Sequence, residues 1–118
     1  MNSKGVECEV ERLLAVIGGK WKVLMLRELF AGPRRHAQLE RALPGISQKV
    51  LTAQLRELEL DGAVQRRDLG TKRPHVEYSL TPFGEQLREM VLQMHALAMR
   101  NRELLKRRPP AGKFAKAA

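Results

Sequence analysis

Leu43-Pro44-Gly45-Ile46-Ser47-Gln48-Lys49-Val50-Leu51-Thr52-Ala53-Gln54-Leu55-Arg56-Glu57-Leu58-Glu59-Leu60-Asp61-Gly62 is the stretch from which the rest of the chain can be read. Pro44-Gly45 is turn chemistry, and Ser47 is an N-cap whose hydroxyl can accept a free amide of the next turn. The helix that follows runs to Leu60 and stops at Asp61-Gly62. At about 100° per residue, Leu51, Leu55 and Leu58 share one side of it. Lys49, Thr52, Ala53 and Arg56 share the other. A face of small or hydrogen-bonding residues with a long cation at each end suits the major groove of a duplex, where a bulky apolar side chain would block the base edges.

Upstream, Val6, Val10, Leu13, Leu14 and Ile17 recur at helical spacing, which predicts a helix over 7–17 ended by Gly18-Gly19. A second helix fits 20–31, with Trp21, Leu24, Met25, Leu29 and Phe30 on its apolar side and Ala31-Gly32-Pro33 as its stop. A short third helix fits 34–43, where Leu39 and Leu43 stand four apart. Downstream the period changes to two. Residues 64–67 and 76–80 alternate as strands, and the loop between them holds Gly70 and Pro74 with the basic pair Lys72-Arg73, His75 lying beside it. Thr81-Pro82 opens a long helix over 82–105, Thr as N-cap and Pro at the first helical position.

This order is mainly α with a small antiparallel β-hairpin: a winged helix-turn-helix with additional N- and C-terminal helices. The apolar stripe of the last helix, from Phe83 to Leu105, is about 30 Å long. So small a core cannot cover it. Residues 7–17 and 82–105 are therefore expected to pack across a two-fold axis as a homodimer, with Val10, Leu13, Leu14, Leu87, Met90, Val91, Met94, Leu97 and Ala98 at the seam.

Composition bounds the partner. The chain has 118 residues and 22 Lys+Arg against 13 Asp+Glu, a formal charge of +9, so a polyanion is the leading expectation. Seven basic groups and one acidic group fall in residues 100–118. Residues 1–108 read as a single domain and 109–118 as a flexible basic tail, a solvated end rather than a phosphate-gripping arm. The five aromatics, Trp21, Phe30, Tyr78, Phe83 and Phe114, are scattered, which favours duplex DNA over a single-strand stacking platform. One cysteine, Cys8, excludes an internal disulfide framework and a four-cysteine zinc site. No apolar run is long enough for a membrane span, no signal core follows Met1, and the expected compartment is a reducing cytoplasm.

Each singled-out residue has a plainer alternative. Lys49, Thr52, Ala53 and Arg56 could be an ordinary solvated face, but a tight turn before them and a wing after them favour groove contact. Ser47 is a cap first and a phosphate contact second; Gln48 and Gln54 flank the face and can reach bases or backbone. Lys72, Arg73 and His75 at the hairpin tip fit phosphate or minor-groove contact better than a merely polar turn. Arg34 and Arg35, opening the helix before the turn, fit backbone contacts. Trp21 reads as core, Met90, Met94 and Met99 as seam packing, and His36 as a packing residue. His36, His75 and His95 are too dispersed for a metal site. No nucleophile, base and acid converge, and no phosphate-cradling Gly loop exists, so neither an enzyme nor a cofactor is expected.

At three stretches the chain resembles the HxlR-type family of bacterial winged helix-turn-helix regulators. They are Cys8 with Ile17-Gly18-Gly19-Lys20-Trp21, then Leu43-Pro44-Gly45-Ile46-Ser47 with Lys49, Leu51-Thr52 and Leu55-Arg56-Glu57-Leu58-Glu59, and Val76-Glu77-Tyr78-Ser79-Leu80-Thr81 with Gly84. The resemblance covers about residues 6–100. It implies a dimeric DNA-binding repressor or activator, and some members use a cysteine at the place of Cys8 to sense quinones, aldehydes or oxidants. Two departures stand out: His36 where the family usually has Phe, and Glu9 where Pro usually follows the cysteine. A helix start would favour the Cys8 thiolate, while Glu7, Glu9 and Glu11 disfavour it. The expectation is a homodimeric regulator, a repressor, on a pseudo-palindromic operator; a lone cysteine is more often inert, and for Cys8 the sensing of electrophiles or oxidants, with a small-molecule or redox effector, stands as the alternative role. The alternative is a winged-helix interaction module without specific DNA binding, in which Lys49 and Arg56 could be neutralised without loss.

Overall fold

A computed structural model describes residues 3–109, with side chains from residue 8 onward. Its elements run α1 (Ser3–Ile17), α2 (Lys22–Leu29), α3 (His36–Ala42), α4 (Gln48–Leu60), β1 (Val64–Asp68), β2 (Val76–Leu80), α5 (Pro82–Arg100) and α6 (Arg102–Leu105). The turn between α3 and α4 needs Gly45, whose φ of +92° a side chain would strain. The Ser47 hydroxyl then accepts the Val50 amide at 3.1 Å, as an N-cap does, and α4 starts there.

Met25, Leu26, Leu39, Leu51, Leu55, Leu58, Val64 and Leu87 form the fully buried centre, contributed by α2, α3, α4, β1 and α5. β1 and β2 pair antiparallel with Val64 opposite Leu80 and Asp68 opposite Val76. A feature the sequence pattern did not announce extends this sheet. Arg34 and Tyr78 exchange backbone hydrogen bonds of 2.9 and 2.8 Å, so the segment before α3 is tacked onto β2. The helix-turn-helix and the wing are thus joined through backbone as well as core.

The start of α5 is fixed with equal economy. Thr81 Oγ1 accepts the Gly84 amide at 3.0 Å and donates to the Gly62 carbonyl, linking the end of α4 to the start of α5. A Cβ on Gly84 would stand 2.2 Å from the Ala63 carbonyl oxygen, so only glycine permits this approach.

Several sequence expectations need correction. The last helix is not continuous over 82–105: α5 ends at Arg100, and Asn101, with φ −123°, separates it from α6. The Asn101 side-chain amide donates to the Leu97 carbonyl at 2.9 Å, satisfying a group that an unbroken helix would have bonded through its own backbone. The first helix begins at Ser3 rather than residue 7, which puts Cys8 beyond the first turn. The helix-start argument for its thiolate therefore falls, because the terminal dipole acts within one turn. Leu87 and Val91, at 2% and 7% exposure, are already buried within the single chain, so they leave little surface for a seam to cover. The proposed tail falls outside the described residues except for Pro109. No described helix is long and apolar enough to cross a membrane.

Candidate nucleic-acid interface

On α4, Leu51, Leu55 and Leu58 are at most 1% exposed, so the helix is clamped by its apolar side and cannot rotate. Lys49, Thr52, Ala53 and Arg56 are all exposed and, together with Gln48, line one shallow surface concavity. The structure thus brings five of the residues singled out from the sequence onto one continuous surface. The surface is small at its centre, where Ala53 and Thr52 sit, and carries Lys49 and Arg56 as long donors. Cationic forks and short polar groups in this arrangement can approach base edges and phosphates together.

Two side-chain contacts tie this helix to its neighbours. From α3, His36 Nε2 shares a hydrogen bond of 3.0 Å with Thr52 Oγ1. His36 is therefore bound to the exposed face rather than being a packing residue alone. From α2, Lys22 is 7% exposed, and its ammonium lies 3.3 Å from Glu57 Oε2. Gln54 Nε2 donates to the same carboxylate oxygen at 3.3 Å. Gln54 is half-buried and engaged on this side, apart from the concavity that Gln48 lines. Neither Lys22 nor Glu57 was singled out from the sequence, where Lys22 is one of two lysines flanking Trp21. The other, Lys20, places its ammonium 4.8 Å from the Trp21 ring centroid.

The remaining residues are distributed along the same structural unit. Arg35 is exposed at the N-cap of α3, its amide bonded to Gln38 Oε1 at 2.8 Å. Arg34 is half-buried, and its guanidinium donates to the Pro33 carbonyl at 3.0 Å, so it is folded against its own backbone. A concavity between α3 and β2 is lined by Arg35, His36, Gln38 and Arg41 with Pro74 and Val76, and adds Arg41 to the basic groups near the wing. At the wing tip Lys72 and Arg73 are exposed. The loop beneath them is closed by Leu69 N donating to the His75 carbonyl at 2.7 Å and Gly70 N to Asp68 Oδ1 at 3.1 Å. His75 is different: its side chain is partly exposed, but its Nε2 is shielded from solvent and lies 3.8 Å from Glu77 Oε2.

Away from this surface, Val10 and Leu14 on α1 and Met94 and Leu97 on α5 are about half exposed (51%, 51%, 49% and 55%). Leu92 on α5 is exposed as well, beside the expected stripe. Leu13 and Met90 are partly buried against the protomer core, and Ala98 is half-buried. Cys8 is exposed on α1.

Comparison with known proteins agrees with this geometry. The chain is 47% identical over 98 residues to the HTH-type transcriptional regulator YybR of Bacillus subtilis (strain 168), covering 83% of this chain and 78% of that one. The redox regulator HypR in its reduced form superposes with a TM-score of 0.78 at 46% identity, over 83% of this chain and 97% of HypR. The quinone-bound YodB from B. subtilis gives a TM-score of 0.69 at 32% identity, over 78% of this chain and 97% of YodB. Residues 16–106 match the model of the HxlR-like helix-turn-helix family. That span takes in the turn, the clamped helix and the wing, and the chain belongs to the HxlR-like family of helix-turn-helix transcriptional regulators.

Proposed function

We propose that the protein is a homodimeric, sequence-specific DNA-binding repressor of the cytoplasm, with α4 as its reading helix. The observation that carries this reading is the division of α4. Leu51, Leu55 and Leu58 are buried almost completely, while Lys49, Thr52, Ala53 and Arg56 stand exposed on one surface beside a basic wing. Ser47 and Gln48 at the start of α4 contact backbone or base edges, and Arg35, Lys72 and Arg73 grip phosphate or the minor groove. Dimerisation is supported by the apolar residues exposed on α1 and α5, which a second copy would cover. Two identical readers imply a pseudo-palindromic operator with half-sites about one helical turn, ~34 Å, apart.

A redox input is supported by two facts: Cys8 is exposed, and the structural relatives include HypR in reduced and oxidised forms and YodB bound to a quinone. In this reading, modification of Cys8 moves α1 and alters the spacing of the two α4 helices rather than touching DNA itself.

Selection of bound duplexes from a random-sequence pool with the purified protein tests the proposal. Recovery of an inverted repeat supports it; recovery of a random pool leaves only the interaction-module alternative.

A further inference from the structure

The hydrogen bond between His36 and Thr52 joins two elements sixteen residues apart and ends on the exposed face of α4. Thr52 is β-branched, so its χ1 is stiff, and which of its two γ-substituents faces outward depends on where the hydroxyl is held. Held by His36, the hydroxyl is directed toward α3, and one of its hydrogen-bonding positions is already occupied. The imidazole is itself set on α3 at its first position, half-buried, on a helix whose Leu39 is fully buried. A hydroxyl free to rotate can satisfy several bases, whereas a held one presents a single arrangement of methyl and oxygen. We infer that His36 is a specificity-positioning residue: it fixes Thr52 so that α4 discriminates at one base pair, without contacting that base itself. The inference rests on α4 being the reading helix.

The test is random-pool selection and competition binding with four full-length proteins: wild type, His36→Phe, His36→Gln and Thr52→Val. Phenylalanine keeps a ring of similar size and removes the nitrogen. Glutamine restores a polar group at the reach of Nε2. Valine keeps the shape of threonine and removes the hydroxyl. The expected result is that His36→Phe lowers the preference for the best base over its competitors by about two- to tenfold at one position of each half-site. Other positions and binding to random duplex stay unchanged. His36→Gln retains the wild-type preference, and Thr52→Val shows the same single-position loss. In a Thr52→Val background His36→Phe adds nothing. If His36→Phe keeps the wild-type preference at every position, or weakens all positions alike, the inference is wrong and His36 is a structural residue. If the wild type itself selects no sequence, α4 is not a reader and the proposal on His36 falls with it. Thermal unfolding of each variant monitors the fold, and should His36→Phe not fold, Thr52→Val with full wild-type preference overturns the inference by itself.

Discussion

Lys22 shows what a single residue contributes that composition hides. A buried cation is tolerated only when paired, and Glu57 is the partner, with its own side chain still about half exposed. The two ends of the pair are therefore not equivalent. Glu57→Ala leaves an ammonium in the core with no carboxylate and is expected to destabilise the fold by about 1–3 kcal/mol. Lys22→Met replaces the stem with an apolar chain of similar length and leaves Glu57 in reach of water, so its cost should stay below about 1 kcal/mol. Urea unfolding of both variants measures the order; the reverse order would show that the pair acts otherwise. Sequence could not sort Lys20 from Lys22, because the two flank Trp21 alike and only the packing of α2 decides which points inward. The same limit applies to His36, whose bond to Thr52 depends on how α3 and α4 meet and leaves no mark in the sequence pattern.

At the scale of elements, most of the fold was legible because turn chemistry and periodicity agree. Pro44-Gly45, Ser47 and the leucines of α4 each specify the same helix, and the structure has it from Gln48 to Leu60. Leu55, 1% exposed at the centre of that helix, should cost about 2–5 kcal/mol of stability as Leu55→Ala, seen as a lowered urea midpoint with an unchanged slope. Where pattern failed, the cause was local competition. The stripe of α5 and α6 continues past Asn101 in apolar residues, but the Asn101 side chain bonds Leu97 O in place of the helical backbone. Likewise, periodicity placed Leu87 and Val91 on the stripe without showing that the protomer's own core takes them. The Arg34–Tyr78 bridge was invisible, since a single pair of residues has no period.

For the whole molecule, the proposed homodimer would bury the apolar residues exposed on α1 and α5. Met94→Glu or Leu97→Glu places an unpaired charge there. Light scattering is expected to show a wild-type dimer and monomeric variants that bind DNA poorly; a wild-type monomer at micromolar concentration would end the dimer reading. Cys8 is the chain's single cysteine, so any disulfide must join two chains. Diamide or a quinone is expected to weaken operator binding by wild type and leave Cys8→Ser unaffected, with a non-reducing gel distinguishing a crosslink from an adduct. Undiminished binding by a fully modified wild type would make Cys8 a passive surface thiol. The central claim, that α4 reads sequence while the wing grips backbone, is tested most directly by binding of Arg56→Ala and Arg73→Ala to the selected operator and to random duplex across a salt series. Arg56→Ala should lose about 1–3 kcal/mol on the operator, relax one base position and bind random duplex nearly as before. Arg73→Ala should weaken both duplexes alike and lower the salt slope by about one. Equal losses on operator and random duplex for both variants would contradict the account, because α4 would then hold DNA without reading it.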